Sequence, residues 1–498
     1  MSRLAFSIRD YGAVGDGQTL DTPAIQATIE ACSRAGGGTV YIPAGSHVTG
    51  SIFLKRNITL YLDAGATLLG SLETADYPAV DSHWEGASHK THAPLIGGND
   101  LENVAVVGRG SIDARGAFWW EMLRERTLDR PRPRLISFGR CTNVLIEGIT
   151  LTNSPSWTLH PFNCENVTVN KVTIVNPANS PNTDGINPES CRNVHIANRH
   201  VDVGDDCVTI KSGMERDRER LSPCENITIT NCTMVHGHGG VVIGSEMSGD
   251  VRNVVISNCV FMGTDRGIRL KSRRERGGLV EDIRVTNVVM KDVLCPFIMN
   301  LFYGCGAWGS DKISDKAAWP VNEGTPRFRH VHLSDVTARA VQYAAAFIYG
   351  LPEMFVEDVS FSNVAVSMAL DAEAGDPAMA PDMEPMQRAG FFACNARGLR
   401  FHNVEVTDHL GPALILTDVE DVEISNCTTH TPNQAPVIHM KDVAGAFVHG
   451  CRAVAGTGKF LHVEGADSRN IALSGNDLGR AGEAVSLAQE VRPDAVSE

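Results

Sequence analysis

No apolar run in this chain of 498 residues approaches the roughly 20 needed to cross a bilayer as a helix, so a membrane-spanning helix is excluded. An excess of cations is missing too. With 44 Lys and Arg against 59 Asp and Glu, the formal net charge of -15 opposes attraction to polyanions and argues against a nucleic-acid partner. The 13 cysteines form no C-x-x-C pair, which excludes the usual zinc and dithiol redox signatures. Scattered and odd in number, they read as reduced thiols filling core space. The triple glycine Gly36-Gly37-Gly38 precedes strand-like rather than helical sequence, so it is no phosphate-binding loop. The start, Met1 to Ser7, reaches strand-like sequence without the apolar segment and cleavage site of a secretory signal. This favours the cytoplasm, although a secreted or periplasmic chain trimmed of its signal would read the same.

What the chain does have is a repeat. Asn57-Ile-Thr-Leu, Asn103-Val-Ala-Val, Asn143-Val-Leu-Ile, Asn166-Val-Thr-Val, Asn193-Val-His-Ile, Asn226-Ile-Thr-Ile and Asn253-Val-Val-Ile share one phrase, and the last five lie 23, 27, 33 and 27 residues apart. Each interval holds two or three short runs with period-2 alternation, separated by Gly, Asn, Asp or Ser. Coiling such strands into stacked parallel rungs, about 4.8 Å apart, buries one face of each and pairs every backbone group with the rungs above and below. The predicted fold is all-β: a single-stranded, right-handed parallel β-helix. The recurring Asn is expected to stack at one corner and to bond backbone at successive turns, which explains the Asn57, Asn166 and Asn226 N-x-[ST] matches better than glycosylation does. Thr22-Pro23 opens an amphipathic helix with Ile25, Ile29 and Cys32 on one face, suited to capping the first rung. One domain over 1–480 is expected, with loops at about 71–95, 304–328 and 371–388 breaking the rhythm, then a short helical or frayed tail over 481–498.

In such a solenoid, residues one rung apart in sequence are neighbours in space. Asp184, in Asn182-Thr183-Asp184-Gly185, and the pair Asp205-Asp206 are so spaced. Val208 and Ile210 should point inward, and strict alternation would carry Asp206 into the core, where an unpaired carboxylate is prohibitive. The pair is therefore placed on the bend before the strand, both side chains reaching the surface beside Asp184. Clustered carboxylates repel, which raises at least one pKa and sets a protonated acid beside an ionised base. Further on come His238, in Gly237-His238-Gly239, and then Arg269 and Lys271, which turn outward together if Ile268 and Leu270 face in. Proton-transferring acids with anion-binding cations describe hydrolysis of a uronic-acid glycoside.

Those four elements, Asn-Thr-Asp, Gly-Asp-Asp, Gly-His-Gly and Arg-x-Lys, occur in the order in which they occur in the polygalacturonase family of pectin hydrolases, glycoside hydrolase family 28, which this chain resembles. The resemblance implies a pectin-lyase-like β-helix, Asp205 as general acid, and Asp184 and Asp206 holding the attacking water, with inversion at the anomeric carbon. It implies that His238 supports the acid, that Arg269 and Lys271 bind a galacturonate carboxylate, and that Asn182 orients Asp184 or substrate. Tyr303 matches a downstream tyrosine of the family. The insertions and the rungs beyond Phe328 are similar to those of exo-acting bacterial members. The substrate implied is therefore an acidic polysaccharide or oligosaccharide, with no metal and no cofactor; the oligomeric state is left open.

Plainer readings stand beside these. Single Asp residues serve in turns, and the run Arg273 to Arg276 reads as a solvated loop. His236 and His238 share a strand face and could hold a metal, but no further ligand is evident. Cys207 reads as packing, and Trp119, Trp120 and Trp157 as either core or a sugar-stacking rim. A Ca²⁺-dependent pectate lyase, a non-catalytic carbohydrate-binding β-helix, and a rhamnogalacturonan or xylogalacturonan hydrolase are the rival functions.

Overall fold

The computed structural model describes residues 5–84, 87–215, 221–307, 309–429 and 434–497. Positions 1–4, 85, 86 and 308, which belong to the N-terminal reading and to two of the expected loops, lie outside the described residues. The chain divides into two compact units, Met1–Val242 with Gly249–Val254, and Ile243–Ser248 with Val255–Glu498. No helix among the described residues is long and apolar enough to cross a membrane.

The first unit is a stack of parallel rungs in register. Val104, Val144, Val167, Val194 and Ile227 form one interior column, and Val106, Ile146, Val169, Ile196 and Ile229 the next. β-branched side chains suit this stacking because each packs on its own kind one rung away. At the corner before each strand the recurring Asn takes a left-handed φ, between 56° and 60° from Asn57 through Asn253, a region that Asn enters at less cost than other non-glycine residues. The corner differs from expectation in its bonding. Each amide Nδ2 donates to the Oδ1 of the Asn one rung earlier, from Asn103→Asn57 at 2.9 Å to Asn253→Asn226 at 3.0 Å, so the side chains bond one another rather than backbone.

The capping helix spans Thr22–Arg34, with Ile25, Ile29 and Cys32 fully buried. It stops where Gly36 and Gly37 adopt φ of 98° and 109°. Asp21, just ahead of it, accepts Val14 N–H at 2.7 Å and Gly15 N–H at 2.9 Å and meets His47 Nδ1 at 2.7 Å, the carboxylate and imidazole both out of solvent.

The second unit repeats the scheme with bulkier columns: Val285, Leu333, Phe361, Phe401, Ile424, Val448 and Leu473 stack in register. Phe361 and Phe401 lie parallel, 5.5 Å apart. The rungs continue past Ala481, where a helical or frayed tail was expected: Glu483–Leu487 and Val496–Ser497 are strands paired to Lys459–Glu464 and Arg469–Ser474. Their alternation is too short to register in the sequence, but an open ladder edge recruits them. The thiols are free and all buried except Cys305, which is exposed, and Cys427, which is half-buried.

Candidate active site

Asp184 stands two residues before Ile186, and Asp206 two residues before Val208, the parallel bridge partner of Ile186. The two carboxylates therefore come from equivalent positions on adjacent rungs, and Gly185 N–H donating to the Asp206 carbonyl at 3.0 Å fixes that register. One carboxylate oxygen from each of Asp184, Asp205 and Asp206 lies within 4.8 Å of the others. Asp184 Oδ2 accepts from Asn187 Nδ2 at 3.1 Å and Thr209 Oγ1 at 3.2 Å. Asp205 Oδ1 accepts the Asp206 N–H at 2.9 Å and lies 3.3 Å from His238 Nδ1.

The bend lies where it was expected, before the strand Val208–Ile210, but only Asp205 reaches solvent. Its side chain is 20% exposed, whereas Asp206 is 2% exposed and Asp184 4%. The turn that carries His238 packs against this bend. Gly237, at φ 75°, packs so closely that a Cβ there would sit 2.3 Å from the Asp205 carbonyl, and Cys207 N–H donates to Gly239 O at 2.8 Å. Burial and then the charges of Asp206 and Asp202 push the Cys207 thiol well up, which suits packing rather than nucleophilic attack. His236 and His238 do not share a strand face. His236 ends its strand at φ 53°, which breaks the alternation, and pairs with Asp202 Oδ1 at 2.8 Å.

Around the acids the first unit gathers side chains that the sequence reading missed. His160 Nε2 meets Glu189 Oε2 at 2.8 Å, and the Trp157 ring carries Arg134 at 4.8 Å and Lys211 at 4.6 Å from its centroid. Trp157 thus lies in this polar cluster, while Trp119 is wholly buried in the core. Arg132 donates to Pro155 O and Pro181 O, both at 2.7 Å, and to Asn182 Oδ1 at 2.6 Å, so the Asn182 amide is fastened to an arginine two residues ahead of Asp184. The signal for these contacts is the one-rung offset, as between Glu189 and Lys211, which are bridge partners.

Over part of the expected 71–95 loop the chain forms an antiparallel hairpin, Ala79–Trp84 with Ala87–His92. It is tied down by Arg134 Nη1 to Ser82 Oγ at 3.0 Å and by His92 N–H to Pro131 O at 3.1 Å. Asp81, Ser82, Arg132 and Arg134 wall a polar pocket floored by Asn99 and Ser137. Ser137 is the in-register neighbour of His160, which places this pocket on the sheet face that continues toward Asp184.

In the second unit Arg269 and Lys271 lie on the strand Arg266–Lys271, with the Tyr303 ring 5.5 Å and 5.3 Å from their charged groups. Arg269 is 1% exposed because the 371–388 segment folds over it. Met379 Sδ receives its Nη2 at 3.3 Å, while Arg266 donates to Pro377 O at 3.0 Å and Asp376 O at 2.7 Å. The run beyond is no solvated loop, since Arg274 and Arg276 are buried. Arg274 holds Glu353 through two bonds of 2.6 and 2.9 Å and also donates to Lys312 O, Asp315 O and Ala317 O, so one guanidinium shapes the 304–328 segment.

Residues 32–372 match the family model "Glycosyl hydrolases family 28". A probable polygalacturonase of Vitis vinifera is 36% identical over 378 residues, covering 74% of this chain and 75% of the relative. An endo-polygalacturonase of Pectobacterium carotovorum subsp. carotovorum is 31% identical, covering 57% of this chain and 72% of its own. Among solved structures, a hyperthermoactive exopolygalacturonase from Thermotoga maritima superposes with a TM-score of 0.69 at 31% identity, covering 81% of this chain and 91% of that one. A parallel β-helix with three convergent aspartates, matched by that family model over most of its length, belongs to glycoside hydrolase family 28.

Proposed function

We propose that this chain is an exo-acting polygalacturonase that releases galacturonic acid from the end of α-1,4-linked galacturonate chains by inverting hydrolysis. The observation that carries the reading is the unequal exposure of three clustered aspartates. Asp205, at the solvent edge and beside His238, protonates the leaving oxygen. Asp184 and Asp206, held deeper, orient and deprotonate water. His238 steadies the acid, Asn182 is a positioning residue ahead of Asp184, and Arg269 and Lys271 with Tyr303 bind a galacturonate carboxylate. The tied-down hairpin supports chain-end action. Asp184, His160 and Ser137 lie on successive rungs, so the wall stands roughly 10–15 Å from the acids, room for one or two sugars rather than a through-running polymer.

The acid cluster is tighter than the roughly 6.5–9.5 Å usual between the two carboxyls of inverting glycosidases, so stereochemistry is the decisive measurement. ¹H NMR of the first turnover of a defined oligogalacturonate should show the β anomer at the new reducing end, and the α anomer would overturn inversion. Product analysis with and without chelator should give saturated monomer in both. Unsaturated products lost with chelator would mean a lyase, and cleavage of a rhamnogalacturonan oligomer alone would change the substrate. Deleting residues 80–91 should shift products from monomer to mixed oligomers, and unchanged monomer release would remove the hairpin from the argument.

A further inference from the structure

Away from the acids, the last rungs of the second unit bring together a different set of groups. His439, on the strand Pro436–Lys441, is the in-register neighbour of His462, on Lys459–Glu464, and their rings stack 5.6 Å apart. Glu464 follows His462 by two residues and so shares its sheet face. Its carboxylate spans the pair: Oε2 lies 3.3 Å from His439 Nε2, and Oε1 lies 3.1 Å from His462 Nε2. One ligand atom from each residue falls within 4.8 Å of the other two.

Two further observations point to a ligand. His439 Nε2 is sealed from solvent and, although Glu464 Oε2 stands 3.3 Å away, it makes no aligned hydrogen bond among the described residues. On the next rung Ser486, in register with His462, offers its Oγ at 2.9 Å and its carbonyl at 3.2 Å to His462 Nδ1, which turns Nε2 toward Glu464. An outer contact that orients an imidazole in this way is the support that metal-binding histidines need.

We propose that His439, His462 and Glu464 bind one divalent transition-metal ion, zinc in preference to calcium or magnesium because two of the three ligands are imidazoles, with solvent completing the shell. The competing set Glu281, Asp282 and His330 has one imidazole, and Glu281 is already engaged by Arg329 at 2.7 Å. The role is a staple between consecutive rungs of the ladder, shortly before the 3₁₀ turn Pro493–Ala495 and the strand Val496–Ser497. His439 lies in the same column as Arg269, through Ile298, Phe347, Phe392 and Ile415. Five rungs separate them, about 24 Å, so the ion does not reach a sugar carboxylate held by Arg269.

The test is zinc titration of the full chain after chelation and dialysis, read by calorimetry and by metal content after gel filtration. One zinc per chain is expected, with affinity more than about tenfold weaker in His439→Ala and in His462→Gln, and about tenfold weaker in Ser486→Ala. Zinc should raise the unfolding midpoint of the parent chain and leave that of a His439→Ala/His462→Gln double variant unmoved. Zinc retained equally by the double variant, or no zinc retained by the parent, would overturn the site. Neither result bears on galacturonate hydrolysis, which is read separately as product released with and without chelator.

Discussion

The asparagine corner and the acid-bearing face of the first unit repeat with the same rung period, yet they treat polar groups in opposite ways. At the corner, identical amides answer one another. Asn166 receives from Asn193 and gives to Asn143, both at 3.1 Å, and every position resembles the next. On the acid face each partner is unlike: Asn187 and Thr209 on Asp184, Glu189 on His160, Arg132 on Asn182. A column of like groups satisfies itself and holds register. A column of unlike groups places charges that repel, so its arrangement is maintained by the rest of the stack and is available for chemistry.

This contrast fixes the largest expected effect. Asp205→Asn should lower kcat by roughly 10³-fold while leaving the unfolding midpoint and circular dichroism near those of the parent, because only an exposed proton donor is removed. Near-parent turnover would remove Asp205 from the role of acid.

The next effect is structural and belongs to the second unit. Arg274→Met strands the Glu353 carboxylate, 4% exposed, and frees three carbonyls of the 304–328 segment, so denaturant unfolding should show a loss of about 3–5 kcal/mol. Arg274→Met with Glu353→Leu should recover much of it. A loss under about 1 kcal/mol in the single variant would mean that the pair is dispensable.

Between these lies a buried cation with no such partner. Arg199, 4% exposed, points into the first unit beside Cys232, and none of its three guanidinium nitrogens has a hydrogen-bond partner among the described residues. Burial pulls its pKa down to about 9. The folded chain then binds fewer protons than the unfolded chain above that pH, so this group's penalty is full below about pH 9 and fades as pH rises toward the ordinary arginine range. Arg199→Met should stabilise by roughly 1–3 kcal/mol at pH 7, and the gain should shrink by pH 10. Destabilisation on substitution would show that the guanidinium is satisfied.

The sequence carried the rungs, the cap and the acid set because each is written locally or at one-rung spacing: Asn before alternating Val and Ile, Pro23 at a helix start, Asp184 one rung from Asp206. It did not carry depth. Alternation could place Asp206 on the bend but not show that it is 2% exposed, and a run of three basic residues in four looked solvated although Arg274 is the anchor of a loop. Nor could it pair His439 with His462, since rung length varies and the partner column is known only once the register is. Side chains whose meaning lies in the neighbouring rung are legible after folding.

The smallest effect tests the corner from which the comparison began. Asn193→Ala removes two exposed amide bonds and asks alanine to hold φ 58°, so a loss of about 1–2 kcal/mol is expected, most of it conformational. Asn193→Gly keeps the left-handed backbone without strain and loses only the bonds, each made in competition with water. Glycine should therefore recover most of what alanine loses, by chemical denaturation of the two variants side by side. Equal losses would assign the corner's stability to the amide ladder instead, and the recurring asparagine would then be selected for its side chain rather than for the turn it permits.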